Sequence, residues 1–193
     1  MNGVSTMCSA SIYRSPEGEK KVQELYEIAL KRLEIEFDEQ MINTSYGVTH
    51  SLITGPRESP PLIILQGGNT VNPVTLSWFL PLMKDYRVYA PDTIGHPGRS
   101  EQTRISPRDN SFGKWVVDLL DNLGIEKSSF VGPSYGAGII LRTAAYAPER
   151  ISNAVLLMPS GIANGSLWRM IIKIIYPMFL YRLFPTHLTI QSC

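Results

Sequence analysis

Four short runs, at residues 62–65, 86–90, 128–131 and 154–158, recur along this chain with helix-patterned segments between them. Leu62-Ile63-Ile64-Leu65 is unbroken apolar sequence, too short for a globular helix and stopped by Gly67-Gly68, as expected of a strand covered on both faces. The intervening segments 73–84, 112–123 and 135–147 read as helices. Strand and helix in alternation predict an α/β fold built on a doubly wound, mostly parallel sheet.

The segment ahead of this pattern follows another rhythm. Between residues 17 and 37, apolar side chains fall at Val22, Leu25, Tyr26, Ala29, Leu30, Leu33 and Phe37, the i, i+3, i+4 spacing of a helix with one buried face. A surface helix over 17–37 is expected. The period then changes to two short β runs in MINTSYGVTHSLIT, with Ser45, Tyr46 and Gly47 at the turn and Gly55-Pro56 as the stop, which predicts an N-terminal β-hairpin. Residues 1–16 have neither a basic n-region nor an apolar h-region, and read as a disordered tail.

A chain of 193 residues is the size of one domain, able to bury a core without disulfides. Lys and Arg number 18 against 17 Asp and Glu, so the formal net charge of +1 supplies no bulk field to draw nucleic acid, anionic lipid or a polyanionic substrate. Cys8 and Cys193 lie near opposite ends with no metal-ligand spacing and no disulfide framework, which fits a reducing cytoplasm. Residues 166–190 are apolar and aromatic, yet Arg169, Lys173, Pro177, Arg182 and Pro185 interrupt them, short of the run of about 20 apolar residues that spans a bilayer. No membrane span is expected.

Chemistry concentrates in SSFVGPSYGAGIILRTAAYAPER, where a strand, the sharp turn Gly132-Pro133-Ser134-Tyr135-Gly136 and a helix follow one another. That is the context in which a G-x-S-x-G pattern acts as a nucleophile elbow. The serine sits in a strained turn with its hydroxyl thrust above the sheet edge, at a helix N-terminus whose amides favour developing negative charge. Ser134 is the candidate nucleophile. An oxyanion hole is also required, and Gln66-Gly67-Gly68-Asn69-Thr70 after the strand at 62–65 supplies the Gly-rich loop from which one amide comes. The amides of Gly68 and Tyr135 are assigned to it.

With these residues the chain resembles the α/β-hydrolase fold superfamily, particularly its carboxylesterase-like branch, over residues 37–161. The elbow GPSYG, the loop QGGN, the passage YRVYAPDTIGHPGRS of the type D-x-x-G-x-G-x-S, the helix end DNLGIEK and the passage APERISNAVLLMPSG carry the resemblance. Where many relatives open the oxyanion loop with His-Gly, this chain has Gln66-Gly67, a modest change beneath the amides. The resemblance implies a serine hydrolase that forms an acyl-enzyme on Ser134 with a small ester. Asn69, His96 and Trp168 are its candidate substrate contacts, and 17–165 its core, with 166–193 as the start of a helical lid.

The resemblance also implies an acid and a histidine after the nucleophile. His50 lies before it in the hairpin, expected to be remote from the sheet's carboxyl edge and structural. His96 falls at a variable position of its motif and His187 has no strand before it, so neither reads as the base. Asp92 is expected to stabilise its own loop, and Asp118 and Asp121 to be solvated helix charges. No triad assembles by motif. The lid, two further strand–helix units and the histidine would add on the order of 80 residues, so the C-terminal strands are expected to be missing. A sheet ending there would expose an apolar edge suited to self-association.

The competing expectation is a non-catalytic α/β-hydrolase-like protein that binds a ligand or partner, since fold does not imply function. No cofactor is expected, because the glycines at 132–138 lack both the Lys-Ser/Thr end of a phosphate loop and dinucleotide spacing. No metal cluster or basic nucleic-acid stripe is legible either.

Overall fold

A computed structural model describes residues 11–160 and, beyond them, Ile172, Tyr176 and Phe179. The chain divides into two compact units, Met1–Ser160 and Gly161–Cys193. In the first unit, helix α1 (Pro16–Lys31) precedes the hairpin β1 (Asp38–Thr44) and β2 (Gly47–Thr54). There follow β3 (Pro61–Ile64), α2 (Asn72–Ser77), β4 (Arg87–Pro91), α3 (Ser111–Asn122), β5 (Ser128–Pro133), α4 (Tyr135–Tyr146) and β6 (Ile151–Leu157). The six strands lie in the order β1-β2-β4-β3-β5-β6. Pairing is parallel from β4 through β3 and β5 to β6, with the hairpin added antiparallel on β4.

The period-2 geometry of β3 distributes the core to both faces of the sheet. Leu62 and Ile64 join Tyr26, Leu30, Leu52, Leu76 and Val88 under α1 and α2. Ile63 and Leu65 face the other way, onto Phe112, Trp115, Leu119, Phe130 and Ile140 under α3 and α4. The buried indole of Trp115 donates to Thr49 Oγ1 at 2.9 Å, so the largest core side chain also fixes α3 on β2.

Helix boundaries differ from the sequence pattern in two places. The helix expected over 17–37 is capped by Ser15, which accepts from the Gly18 amide, but it ends at Lys31. Glu34 takes a left-handed φ of 50° that turns the chain toward β1, and Leu33, Ile35 and Phe37 reach the same core from outside the helix. Their spacing was set by a shared target and not by a continuous helix. The helix expected over 73–84 is split into α2 and a 3-10 turn at Leu80–Lys84. Pro81 disfavours the α conformation at Leu80, so the chain tightens instead of continuing.

Three further contacts depart from expectation. Ser11 Oγ and the Ile12 amide donate to Gln102 Oε1 at 2.8 and 3.0 Å, so residues assigned to the N-terminal tail are bonded to the body from Ser11 onward. Asp118, expected to be merely solvated, accepts from the amide of Ser45 at 2.9 Å and from its hydroxyl, holding the hairpin turn on α3. Asp121 pairs with Arg150 at 2.7 Å.

A charged cluster joins α1, the hairpin and the loop after β4. Because β2 runs antiparallel to β4, its first half lies beside the carboxyl end of β4, and His50 O accepts from the Asp92 amide at 2.8 Å. His50 is therefore at that edge, not remote from it. It is 2% exposed, with Nδ1 3.0 Å from Asp92 Oδ2 and Nε2 2.9 Å from Glu39 Oε2. The Tyr26 hydroxyl donates to Asp92 Oδ1 at 3.3 Å, and the Arg99 guanidinium bonds Glu39 and Glu27 while stacking 4.5 Å from the Tyr26 ring centroid. Burial alone would favour the neutral imidazole, but the bonds and charges of Asp92 and Glu39 outweigh it and raise the His50 pKa above its usual value.

The stabilisation from charged His50 is thus fully present below the unfolded histidine value of about 6.5 and is lost as pH rises through the raised folded value. His50→Gln is expected to lose about 3 kcal/mol of unfolding free energy at pH 6. In urea titrations the gap to the unaltered protein should narrow toward pH 9.

Candidate active site

Ser134 stands between β5 and α4 with φ 49° and ψ −106°, a strained conformation for a non-glycine residue. Its surroundings hold it there. Its amide donates to Leu157 O at 2.8 Å, tying the turn to the end of β6. Its carbonyl accepts from the amide of Ser160 at 3.1 Å and from the Ser160 hydroxyl at 3.2 Å. The serine side is exposed, as an attacking group requires.

The turn can be this tight because two positions lack a side chain. A Cβ on Gly132 would lie 2.7 Å from Gly136 C, and one on Gly136 would lie 2.5 Å from Leu65 O. Alanine at either would push α4 off β5 or off the end of β3. The same closeness brings the Gly67–Thr70 loop to the elbow, where a Cβ on Gly68 would be 3.3 Å from Tyr135 Cβ. Gly67 N donates to Thr75 Oγ1 at 3.3 Å, whereas the Gly68 amide has no acceptor among the described residues. Tyr135 opens α4, so its amide has no intrahelical acceptor either. Two amides without acceptors on adjacent segments are what an oxyanion hole requires.

Gln66 makes a larger contribution than its place in the motif suggests. Fully buried, it donates from Nε2 to Thr70 O at 3.1 Å and Pro97 O at 3.2 Å, and its Oε1 accepts from the Thr93 amide at 3.1 Å. One side chain thereby joins both ends of the Gly-rich loop to the loop after β4. Asp92 is buried at the start of that second loop and accepts from the Arg99 amide at 2.8 Å, in keeping with a loop-stabilising role.

Asn69, His96 and Tyr135 line one cavity of about 400 Å³. The His96 ring lies 4.5 Å from that of Tyr135, with Nδ1 directed at Ile94 O at 3.2 Å. Burial lowers its pKa. No carboxylate bonds His96, so it lacks the acid that orients a catalytic base, and His50 is occupied between two carboxylates. Trp168 and His187 lie outside the described residues. Among the described residues, no group of His, Cys, Asp or Glu could hold a metal ion, and no helix is long and apolar enough to cross a membrane.

Sequence reasoning missed the support that Ser160 gives the elbow, although its position just after β6, on the sheet edge that carries Ser134, could have shown it. It also missed Ile12, Tyr13 and Arg104 on the cavity wall, for which no local motif exists.

Residues 60–187 match the alpha/beta hydrolase fold family, and the chain belongs to it. It is similar to a protein of Bacillus subtilis strain 168 named as an uncharacterized carboxylesterase, nap, at 34% identity over 119 residues, 62% of this chain and 40% of that protein. The carboxylesterase YbfK of the same organism is 28% identical over 148 residues, covering 77% of this chain and 50% of its own length. The crystal structure of carboxylesterase CesB (YbfK) superposes with a TM-score of 0.71 at 26% identity, over 81% of this chain and 56% of that one. The chain thus spans about half the length of the curated relatives it matches, 40% and 50% for these two.

Gln66→Leu would leave the buried Thr93 amide without its acceptor, and is expected to cost about 2 kcal/mol of stability in urea unfolding. Gln66→Glu should cost more, because a carboxylate would face the carbonyls of Thr70 and Pro97.

Proposed function

We propose that this chain carries the nucleophile and oxyanion half of a serine carboxylesterase acting on a small ester. Ser134 attacks the carbonyl carbon, its proton passes to a histidine, and the amides of Gly68 and Tyr135 receive the charge that develops on the carbonyl oxygen. Collapse of the tetrahedral intermediate expels the alcohol, which takes that proton, and leaves an acyl group on Ser134. Water then hydrolyses the acyl-enzyme. The observation that carries this reading is the strained Ser134 turn set against a Gly-rich loop with an unused amide. The similarity to two carboxylesterases of Bacillus subtilis supports the ester as substrate.

The histidine and acid are assigned to polypeptide outside residues 1–193, since neither described histidine is both free and oriented by a carboxylate at the elbow, and residues 161–193, which include His187, contain no Asp or Glu to orient a base. Fluorophosphonate labelling mapped by peptide mass tests this. A longer polypeptide that supplies the histidine and acid C-terminal to residue 193 is expected to label at Ser134 alone and to lose labelling in Ser134→Ala. Residues 1–193 by themselves should label no faster than that variant. Labelling of 1–193 at Ser134 would place a base within the chain, and no labelling of either would favour a ligand-binding protein without turnover.

The outer edge of β6 supports self-association of the 193-residue chain. Val155 and Leu157 on β6, the last strand of the sheet order among the described residues, and Met158 just after it are exposed, and an apolar edge offers another chain both hydrogen bonds and a greasy surface. Size-exclusion chromatography with light scattering is expected to show dimers or larger species. Val155→Lys should shift them toward monomer.

A further inference from the structure

We propose that the cavity beside Tyr135 is an anion-reading subsite in which Arg104 takes a carboxylate carried by the substrate. The inference rests on the esterase reading for the ligand's class, and adds that the preferred ester bears a negative charge away from the reacting carbonyl. The cavity of about 400 Å³ is walled by Tyr135 from α4, Asn69 from the Gly-rich loop, and His96 and Arg104 from the segment after β4. A small acyl or alcohol arm extending from the elbow fits that space.

Among the described residues, Arg104 is the one full charge on these walls at neutral pH. Burial lowers the pKa of His96, leaving its ring neutral, and burial raises the phenols of Tyr13 and Tyr135. No carboxylate of the described residues lines the cavity. Among the described residues, Arg104 Nη2 reaches only Ser11 O, at 3.5 Å, the outer limit of a hydrogen bond. The acids closest in sequence are engaged elsewhere: Asp92 with His50 and the Arg99 amide, Glu101 with the Val48 amide, Asp109 with the Ser111 amide. Residues 1–10 and 161–193 contain no Asp or Glu.

The position of Arg104 is set by packing. A Cβ on Gly95 would lie 2.5 Å from Thr103 O and 3.2 Å from Arg104 Cα, so the loop closes on itself at that point. The side chain is exposed and available to a ligand, with Ile12, Ile94, Ile105 and Phe112 supplying apolar contact beside it. A planar guanidinium so placed binds a carboxylate through two parallel bonds, which a neutral ester arm cannot reproduce.

Calorimetry with the mono-4-nitroanilide of glutaric acid and with its neutral carboxamide analogue tests the proposal. The acid is expected to bind about fivefold tighter at low salt, as for a partly exposed ion pair, and the preference should vanish in Arg104→Gln. Equal affinities, a preference that survives Arg104→Gln, or no binding of the acid would overturn it. Binding requires no turnover, so an unreactive Ser134 would remove the esterase reading while leaving this measurement decisive for Arg104.

Discussion

The first turn of α4 lies against the carbonyls that follow β3, and the rest of the candidate site depends on that contact. It exists because Gly136 has no side chain where one would lie 2.5 Å from Leu65 O. With α4 that close, Tyr135 falls beside Gly68 and two unused amides sit on neighbouring segments. The strain at Ser134 follows from the same geometry, since the chain must leave β5 and enter α4 within one residue. Bonds from the ends of β6 and from Ser160 hold it there. The conformation is maintained by the sheet around it and not by any preference of serine.

A second layer of polar contacts fixes the loops around that contact. Gln66 joins the Gly-rich loop to the segment after β4, and Asp92 joins that segment to His50 and α1. Both are fully buried and bonded, as polar groups in a dry interior must be. The charge cluster at His50 therefore acts at a distance from Ser134: through Asp92 and Arg99 it anchors the loop that carries His96, Pro97 and Arg104 along the cavity. Its members come from α1, β1, β2 and the loop after β4, which makes the N-terminal helix part of the support for the site.

Much of the architecture could be read from the chain itself. The alternation of apolar runs and helical segments gave the sheet, its parallel centre and the hairpin, because a strand buried on both faces has few other sequence solutions. The tight turn at 132–136 was visible because Gly132 and Gly136 stand close to Ser134 in sequence and are sterically required. Reading failed where distant segments share a target. Leu33 and Phe37 keep a helical i, i+4 spacing beyond the end of α1 because both fill one core, and the apolar pattern over 73–84 hid the break that Pro81 imposes between α2 and the turn that follows. His50 was misplaced since the direction of β2 relative to β4 cannot be seen in β2 alone.

The sequence by itself determined the fold class, the family resemblance and the location of Ser134, Gly68 and Tyr135, since each is written in a short contiguous pattern with a local steric cause. Only the tertiary structure decided what surrounds them. It brought Gln66 to three backbone partners, enclosed His50 between Asp92 and Glu39, and set Arg104 on a cavity wall that holds no carboxylate among the described residues. Those relations join residues tens of positions apart, and their energies arise from burial and hydrogen bonding that no local pattern encodes.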